Sequence, residues 1–334
     1  MLVENHSKNT STELKYSWIE NWNKQGFKQG WSHHGLVVTN NDIIITSCSS
    51  KREALFYNTE GDLLSSFPLD VIDAHGLNLS VENGETFLWV TDAGKRREAG
   101  GDYNYPKFHN GKVIKYTLEG KKMLEINKNH IPQYKEKRIF SPTVSAINPR
   151  NDDIWVTDGY GSNTVYCFDK DANYLRQIDG STGAGTFNCP HWVFIDQRKS
   201  EAELLVADRV SDRIQVFDLE GNFLRCFAQD ITRKPSVFST WGEYLIVGEL
   251  EARLLIFDKK DNLIAEIGDG YEYVKEKGWP NRLNQNNKPT RPKDLVPGKF
   301  NSPHGLSCDS EGNIYICEWL IGGRFTKLAR HIKN

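Results

Sequence analysis

Nine histidines occur among the 334 residues, and four of them stand at one recurring position: His34 in HHGLVV, His75 in AHGLNL, His191 in CPHWVF and His304 in SPHGLS. The same position is Thr143 in SPTVSA and Ser236 in KPSVFS, so the five successive intervals are 41, 68, 48, 45 and 68 residues. Neutral imidazole is a common metal ligand. A catalytic zinc site takes three protein ligands and keeps a further position for water or substrate. Three of these histidines brought to one point would therefore hold zinc or another divalent transition ion. For any one of them alone, packing and a hydrogen bond to backbone is the plainer role.

The elements that must position them repeat with the histidines. Each position precedes an apolar strand, and further strands follow it, as in DIWVTDGYGSNTVYCFDKDANYLRQI, LLVADRVSDRIQVFDLEGNFLRCF and YLIVGELEARLLIFDKKDNLIAEI. The hairpin turns are EG, DAN or DN, which supply residues tolerant of the left-handed conformation. A base period in the forties is that of a four-stranded propeller blade. The two long intervals each predict one blade carrying an insertion, near 94–111 and 268–299, the second a candidate lid or rim loop. No amphipathic helix is evident. The expected fold is all-β, a six-bladed β-propeller over 14–334 with a tail at 1–13. The strand-like LKYSWIENW at 14–22 is expected to complete the sixth blade and close the ring, leaving no edge exposed.

Alternate blades of such a ring lie about 120° apart. On that geometry His75, His191 and His304 converge as ligands, and His34 is a possible fourth ligand, a partner of the others, or structural. The turns between second and third strands should open on the same face. They carry Arg52, Lys95, Tyr160, Arg209, Glu249 and Glu318. Tyr160 offers a phenol as acid or base and Arg209 a fixed cation for an anionic group. Arg52, Lys95, Glu249 and Glu318 are candidate substrate contacts.

Composition narrows the partners. With 42 Lys and Arg against 44 Asp and Glu the net charge is −2, which does not favour a phosphate-tracking surface for nucleic acid. No apolar run reaches the roughly 18 residues of a membrane helix, and the first residues lack the apolar stretch of a secretory signal. The expectation is a cytoplasmic protein with no membrane partner, acting on a small molecule or peptide. The six cysteines include no CxxC pair and read as buried small apolar side chains in a reducing compartment.

From about Ser32 to Arg330 the repeats resemble the NHL-repeat propellers. Within these, PTVSAINPRNDDIWVTDGYGSNTV, then FNCPHWVFID, then LLVADRVSDRIQVFD resemble the peptidyl-α-hydroxyglycine α-amidating lyases. That resemblance implies zinc on His75, His191 and His304, Tyr160 as the catalytic tyrosine and Arg209 as an active-site arginine. It also implies cleavage of an N–Cα bond at a hydroxylated carbon, releasing an amide and an aldehyde acid. The chain departs from the family at Ser49, where a first-blade arginine is expected with Arg52 the nearest substitute. It departs also at Gly305 for an acidic residue, at Ser302 for a methionine and at Gly161 for a cysteine. Two other functions share the same repeats: a non-enzymatic NHL scaffold for protein or RNA, and a different metal-dependent hydrolase or carbohydrate lyase.

Overall fold

The computed structural model describes residues 2–3, 14–24, 30–47, 51–97, 107–132, 134 and 138–331. Most of the expected tail at 1–13, Ser49 and the centre of the first insertion lie outside the described residues. The fold is a six-bladed β-propeller, each blade an antiparallel sheet with its strands in chain order, apart from one break in the last. The chain divides into two compact units.

One unit holds the second, third and fourth blades. Their strands are Ala74–Glu82, Glu85–Asp92, Lys112–Thr117 and Lys122–Asn127; Val144–Ile147, Ile154–Asp158, Thr164–Phe168 and Tyr174–Ile178; and Pro190–Asp196, Glu203–Asp208, Arg213–Phe217 and Phe223–Phe227. Middle strands such as IWVTD and TVYCF are buried at every residue. Continuous apolar runs are what a strand covered on both faces requires. The outermost strand YLRQI instead alternates between half-buried and exposed. Two of the outer hairpins are tied by one device: the Asp169 carboxylate accepts the Asp171 and Asn173 amides while the Asn173 side chain donates back to it, and Asp218 with Asn222 does the same.

The other unit holds the first blade (Leu36–Val38, Ile44–Ser47, Glu53–Tyr57, Leu63–Pro68), the fifth (Pro235–Trp241, Tyr244–Glu249, Arg253–Phe257, Leu263–Ile267) and the sixth. The sixth joins Pro303–Cys308, Ile314–Glu318 and Arg324–Arg330 to the N-terminal strand Tyr16–Glu20, which pairs antiparallel with Arg324–Arg330. The expected completion of the last blade by the N-terminus is thus observed. Glu20 accepts two hydrogen bonds from the buried Arg324 guanidinium, at 2.8 and 3.1 Å. Burial opposes ionisation of Glu20, yet these bonds hold its carboxyl below the ordinary range.

The second insertion contains the four-residue helix Tyr271–Val274 and a small hairpin, Arg282–Leu283 with Pro289–Thr290. It is fastened down: Arg324 donates to the Val296 and Lys299 carbonyls, and Arg291 to those of Ile321 and Gly323. Among the described residues no helix is long and apolar enough to cross a membrane. Cys167, Cys189 and Cys317 are buried, Cys226 and Cys308 half-buried, and all five are free thiols.

A histidine, tyrosine and arginine cluster in the three-blade unit

His75, His191 and His304 share a backbone feature. In each first strand the register slips by one residue at the histidine: Ala74 faces Asp92 and Gly76 faces Thr91, Pro190 faces Asp208 and Trp192 faces Ala207, Pro303 faces Glu318 and Gly305 faces Cys317. The histidine is the extra, unpaired residue of a β-bulge, a device that re-aims one side chain out of the strand alternation. At Gly76 and Gly305, which follow the bulged histidine, an added Cβ would lie 2.3 Å from the Thr143 carbonyl and 2.9 Å from that of His34. Backbone therefore crowds both positions, and the acidic residue that the family resemblance places at 305 has no room there.

Within the three-blade unit, His75 and His191 are fully buried and face each other with Nε2 atoms 3.2 Å apart. The Tyr160 hydroxyl lies 3.0 Å from each. The Nδ1 of His75 is 2.7 Å from the Thr143 carbonyl oxygen; a carbonyl only accepts, so Nδ1 carries the proton and Nε2 the lone pair. This outer hydrogen bond is the usual means of orienting a metal-bound imidazole. Two nitrogens bound at about 2.0–2.1 Å to one tetrahedral ion are about 3.3 Å apart. The donors and spacing of this pair therefore fit a zinc-like ion.

Tyr160 is set by its turn. Asp158, at the end of the strand Ile154–Asp158, accepts the Ser141 and Ser162 amides and the Tyr134 hydroxyl, each at 2.8 Å, and the Tyr160 amide donates to the Ser141 carbonyl. Burial pushes the Asp158 carboxyl up, against these hydrogen bonds. Arg209 follows the strand Glu203–Asp208. Its guanidinium donates to the Tyr160 hydroxyl at 3.4 Å and to the Cys189 thiol at 3.1 Å. Burial disfavours its charge, but the phenol and thiol offset this and raise its pKa. The adjacent carboxylate Asp208 is taken by Arg213 at 2.7 Å, so among the described residues Arg209 forms no ion pair. Lys95 is buried, with Nζ 3.7 Å from the Tyr160 ring centroid.

The remaining sequence candidates fall in the other unit. Buried His304 has Nδ1 3.3 Å from the His34 carbonyl, the same kind of contact that His75 makes with Thr143. His34 has Nε2 3.0 Å from the Ser32 hydroxyl and Nδ1 3.1 Å from that of Thr46. Both of its nitrogens are thus engaged. Its neighbour His33, which the repeat spacing did not single out, lies against the His304 ring with centroids 4.7 Å apart. Glu249 is fully buried and paired with Arg253; Glu318 is fully buried, accepts the Asn301 and Ser302 amides and pairs with Arg324 at 3.3 Å. Both acids are thereby committed to loop and blade structure. Arg52 is exposed.

Sequence reasoning passed over Asp158 and Cys189. Asp158 was legible as the acid that recurs at the end of second strands, with Asp92, Asp208, Glu249 and Glu318. Cys189, with a left-handed φ of 60°, carried no signal beyond its place two residues before His191.

Residues 136–240 match a family described as a 6-bladed beta-propeller. The chain is similar to NHL repeat-containing protein 3 of Homo sapiens, 28% identical over 207 residues, 59% of this chain and 55% of that protein. It is also similar to peptidyl-glycine alpha-amidating monooxygenase A of Xenopus laevis, 28% identical over 109 residues, 31% of this chain and 11% of that protein. The chain thus matches about half the length of the NHL relative and a smaller share of the monooxygenase. A solved streptogramin B lyase superimposes with a TM-score of 0.55 at 14% identity, over 95% of this chain and 98% of the other, a likeness of fold. The chain is a six-bladed β-propeller with sequence similarity to an NHL repeat-containing protein and, more distantly, to the amidating monooxygenase.

Proposed function

We propose that this propeller is a metal-dependent lyase acting at a hydroxyl-bearing carbon of a small anionic or peptide substrate. The observation that carries the reading is the convergence of two buried imidazole Nε2 atoms and a phenol within 3.2 Å, beside an arginine with no carboxylate partner among the described residues. His75 and His191 are the proposed ligands within this unit. A divalent ion held by them supplies a Lewis acid for a substrate oxygen.

The protein's own groups divide the remaining work. Arg209 binds a substrate carboxylate, since a partly buried guanidinium without an ion pair favours an anion beside it. Tyr160 accepts the carbinol proton. The C–O bond then becomes C=O, the N–Cα bond breaks with its electron pair passing to nitrogen, and the nitrogen takes a proton to leave as an amide. Arg209, donating to the phenol oxygen, stabilises the negative charge that oxygen carries before it is protonated.

Peptidyl-α-hydroxyglycine is the first substrate to assay, with release of glyoxylate as the readout. Tyr160→Phe is expected to keep fold and metal while turnover falls by about 10²–10⁴. Full activity in Tyr160→Phe would remove the mechanism. A metal-loaded protein inactive on hydroxyglycine but active on another α-hydroxy acid would replace the substrate and keep the class.

A further inference from the structure

The two blades without a histidine at the recurring position carry a hydroxyl there, Thr143 in the third and Ser236 in the fifth. In both, the hydroxyl reaches the same kind of atom. The fully buried Thr143 hydroxyl lies 3.4 Å from the Pro190 carbonyl oxygen, and the fully buried Ser236 hydroxyl 3.0 Å from that of Pro303. Each proline immediately precedes a bulged histidine, His191 or His304, at the point where the register slips. The contact thus occurs once in each unit. A bulged residue has no ladder partner of its own, so the backbone beside it gains a hold from this hydroxyl.

In the three-blade unit Thr143 reaches further. Its carbonyl accepts the His75 Nδ1 proton at 2.7 Å, and its hydroxyl stands 2.6 Å from that of Thr157. A carbonyl only accepts, so both hydroxyl contacts are hydrogen bonds when Thr157 donates to Thr143 and Thr143 to Pro190. Gly159, which precedes Tyr160, faces the same groups: an added Cβ there would lie 2.4 Å from the Pro190 carbonyl oxygen and 3.2 Å from the Thr143 methyl carbon. One residue therefore meets the His75 ring, the backbone before His191 and the backbone before Tyr160. We infer that Thr143 is a positioning residue: its carbonyl aims His75, its hydroxyl holds the strand that carries His191, and the third blade thereby sets the spacing of the imidazoles on either side of it. The inference deepens the lyase reading and rests on it for the metal, whereas the spacing belongs to the protein alone.

The test reads zinc affinity of the purified full chain by competition with a chromophoric chelator, together with crystal structures of the metal-free chains. Thr143→Val keeps the size of the side chain and removes its hydroxyl; it is expected to weaken zinc about 10–100-fold and to lengthen the 3.2 Å separation of the two Nε2 atoms. Thr143→Ser keeps the hydroxyl and should recover most of both. Thr157→Val, which removes the relay donor from a strand bearing no histidine, should act in the same direction by less. Ile246→Val, a buried truncation in the fifth blade, should keep wild-type affinity and so separates positioning from loss of stability. Wild-type affinity in Thr143→Val, or a loss that Thr143→Ser does not relieve, would overturn the inference and leave the lyase reading standing. If Thr143→Val does not fold, Thr157→Val decides, and unchanged affinity there overturns the inference. A wild type that binds no zinc would remove the lyase reading instead; the metal-free structures then decide, and an Nε2 separation unchanged in Thr143→Val overturns the inference as well.

Discussion

At the scale of single residues, the proposed acting groups depend on other side chains that hold them in place. Asp158 ties together the Ser141 and Ser162 amides and the Tyr134 hydroxyl around the Tyr160 turn. Asp158→Ala should therefore misplace the phenol and lower kcat by about 10²-fold or more, and should destabilise the fold by about 1–3 kcal/mol through amides left without acceptors. Asp158→Asn, which keeps one acceptor oxygen, should recover part of both losses. A kcat unchanged in Asp158→Ala would show that the turn does not position Tyr160. Cys189 accepts a hydrogen bond from the Arg209 guanidinium through sulfur; Cys189→Ser keeps an acceptor there and is expected to change KM less than Cys189→Val. Tyr160, Arg209 and the histidines were legible because their types are uncommon and their spacing repeats. Asp158 and Glu318 look alike in sequence, and only their surroundings show that both serve the loops.

At the scale of elements, the N-terminal strand is what the last blade depends on. Trp18 packs on Phe300 with ring centroids 4.6 Å apart, and Glu20 holds the buried Arg324. A chain lacking its first 25 residues would expose the edge of Arg324–Arg330 and remove one of the two carboxylates paired with the buried Arg324 guanidinium. Such a chain is expected to aggregate or unfold, and a soluble truncation with an unchanged melting temperature would refute this. Because the Glu20 carboxyl is held below its ordinary value in the folded chain, its contribution is present above the unfolded-state pKa of about 4.3 and is lost as pH falls through the folded value. Glu20→Gln should lower stability by about 1 kcal/mol near neutral pH and flatten the acid limb of a denaturation profile. An acid limb identical to wild type would contradict the assignment.

For the whole molecule, the fold was readable because a propeller writes its architecture as a period, with hairpin turns and a spare N-terminal strand at fixed places in the repeat. The bulges were not readable, since the strand pattern is the same with or without one extra residue, and only the register exposes the slip at His75, His191 and His304. The surroundings of His34 were equally hidden: it occupies the same repeat position, and its ring meets the Ser32 and Thr46 hydroxyls. The fastening of 268–299 depends on Arg291 and Arg324 meeting backbone carbonyls far away in the chain, which no local pattern reports. The central proposal is that the bulged histidines of the three-blade unit, His75 and His191, hold a metal. Elemental analysis of protein purified without a histidine tag tests it directly: the wild type should carry close to one divalent transition ion per chain and His191→Ala much less, with His34→Ala retaining the ion. A metal-free wild type, or an ion that survives in His191→Ala and disappears in His34→Ala, would contradict it.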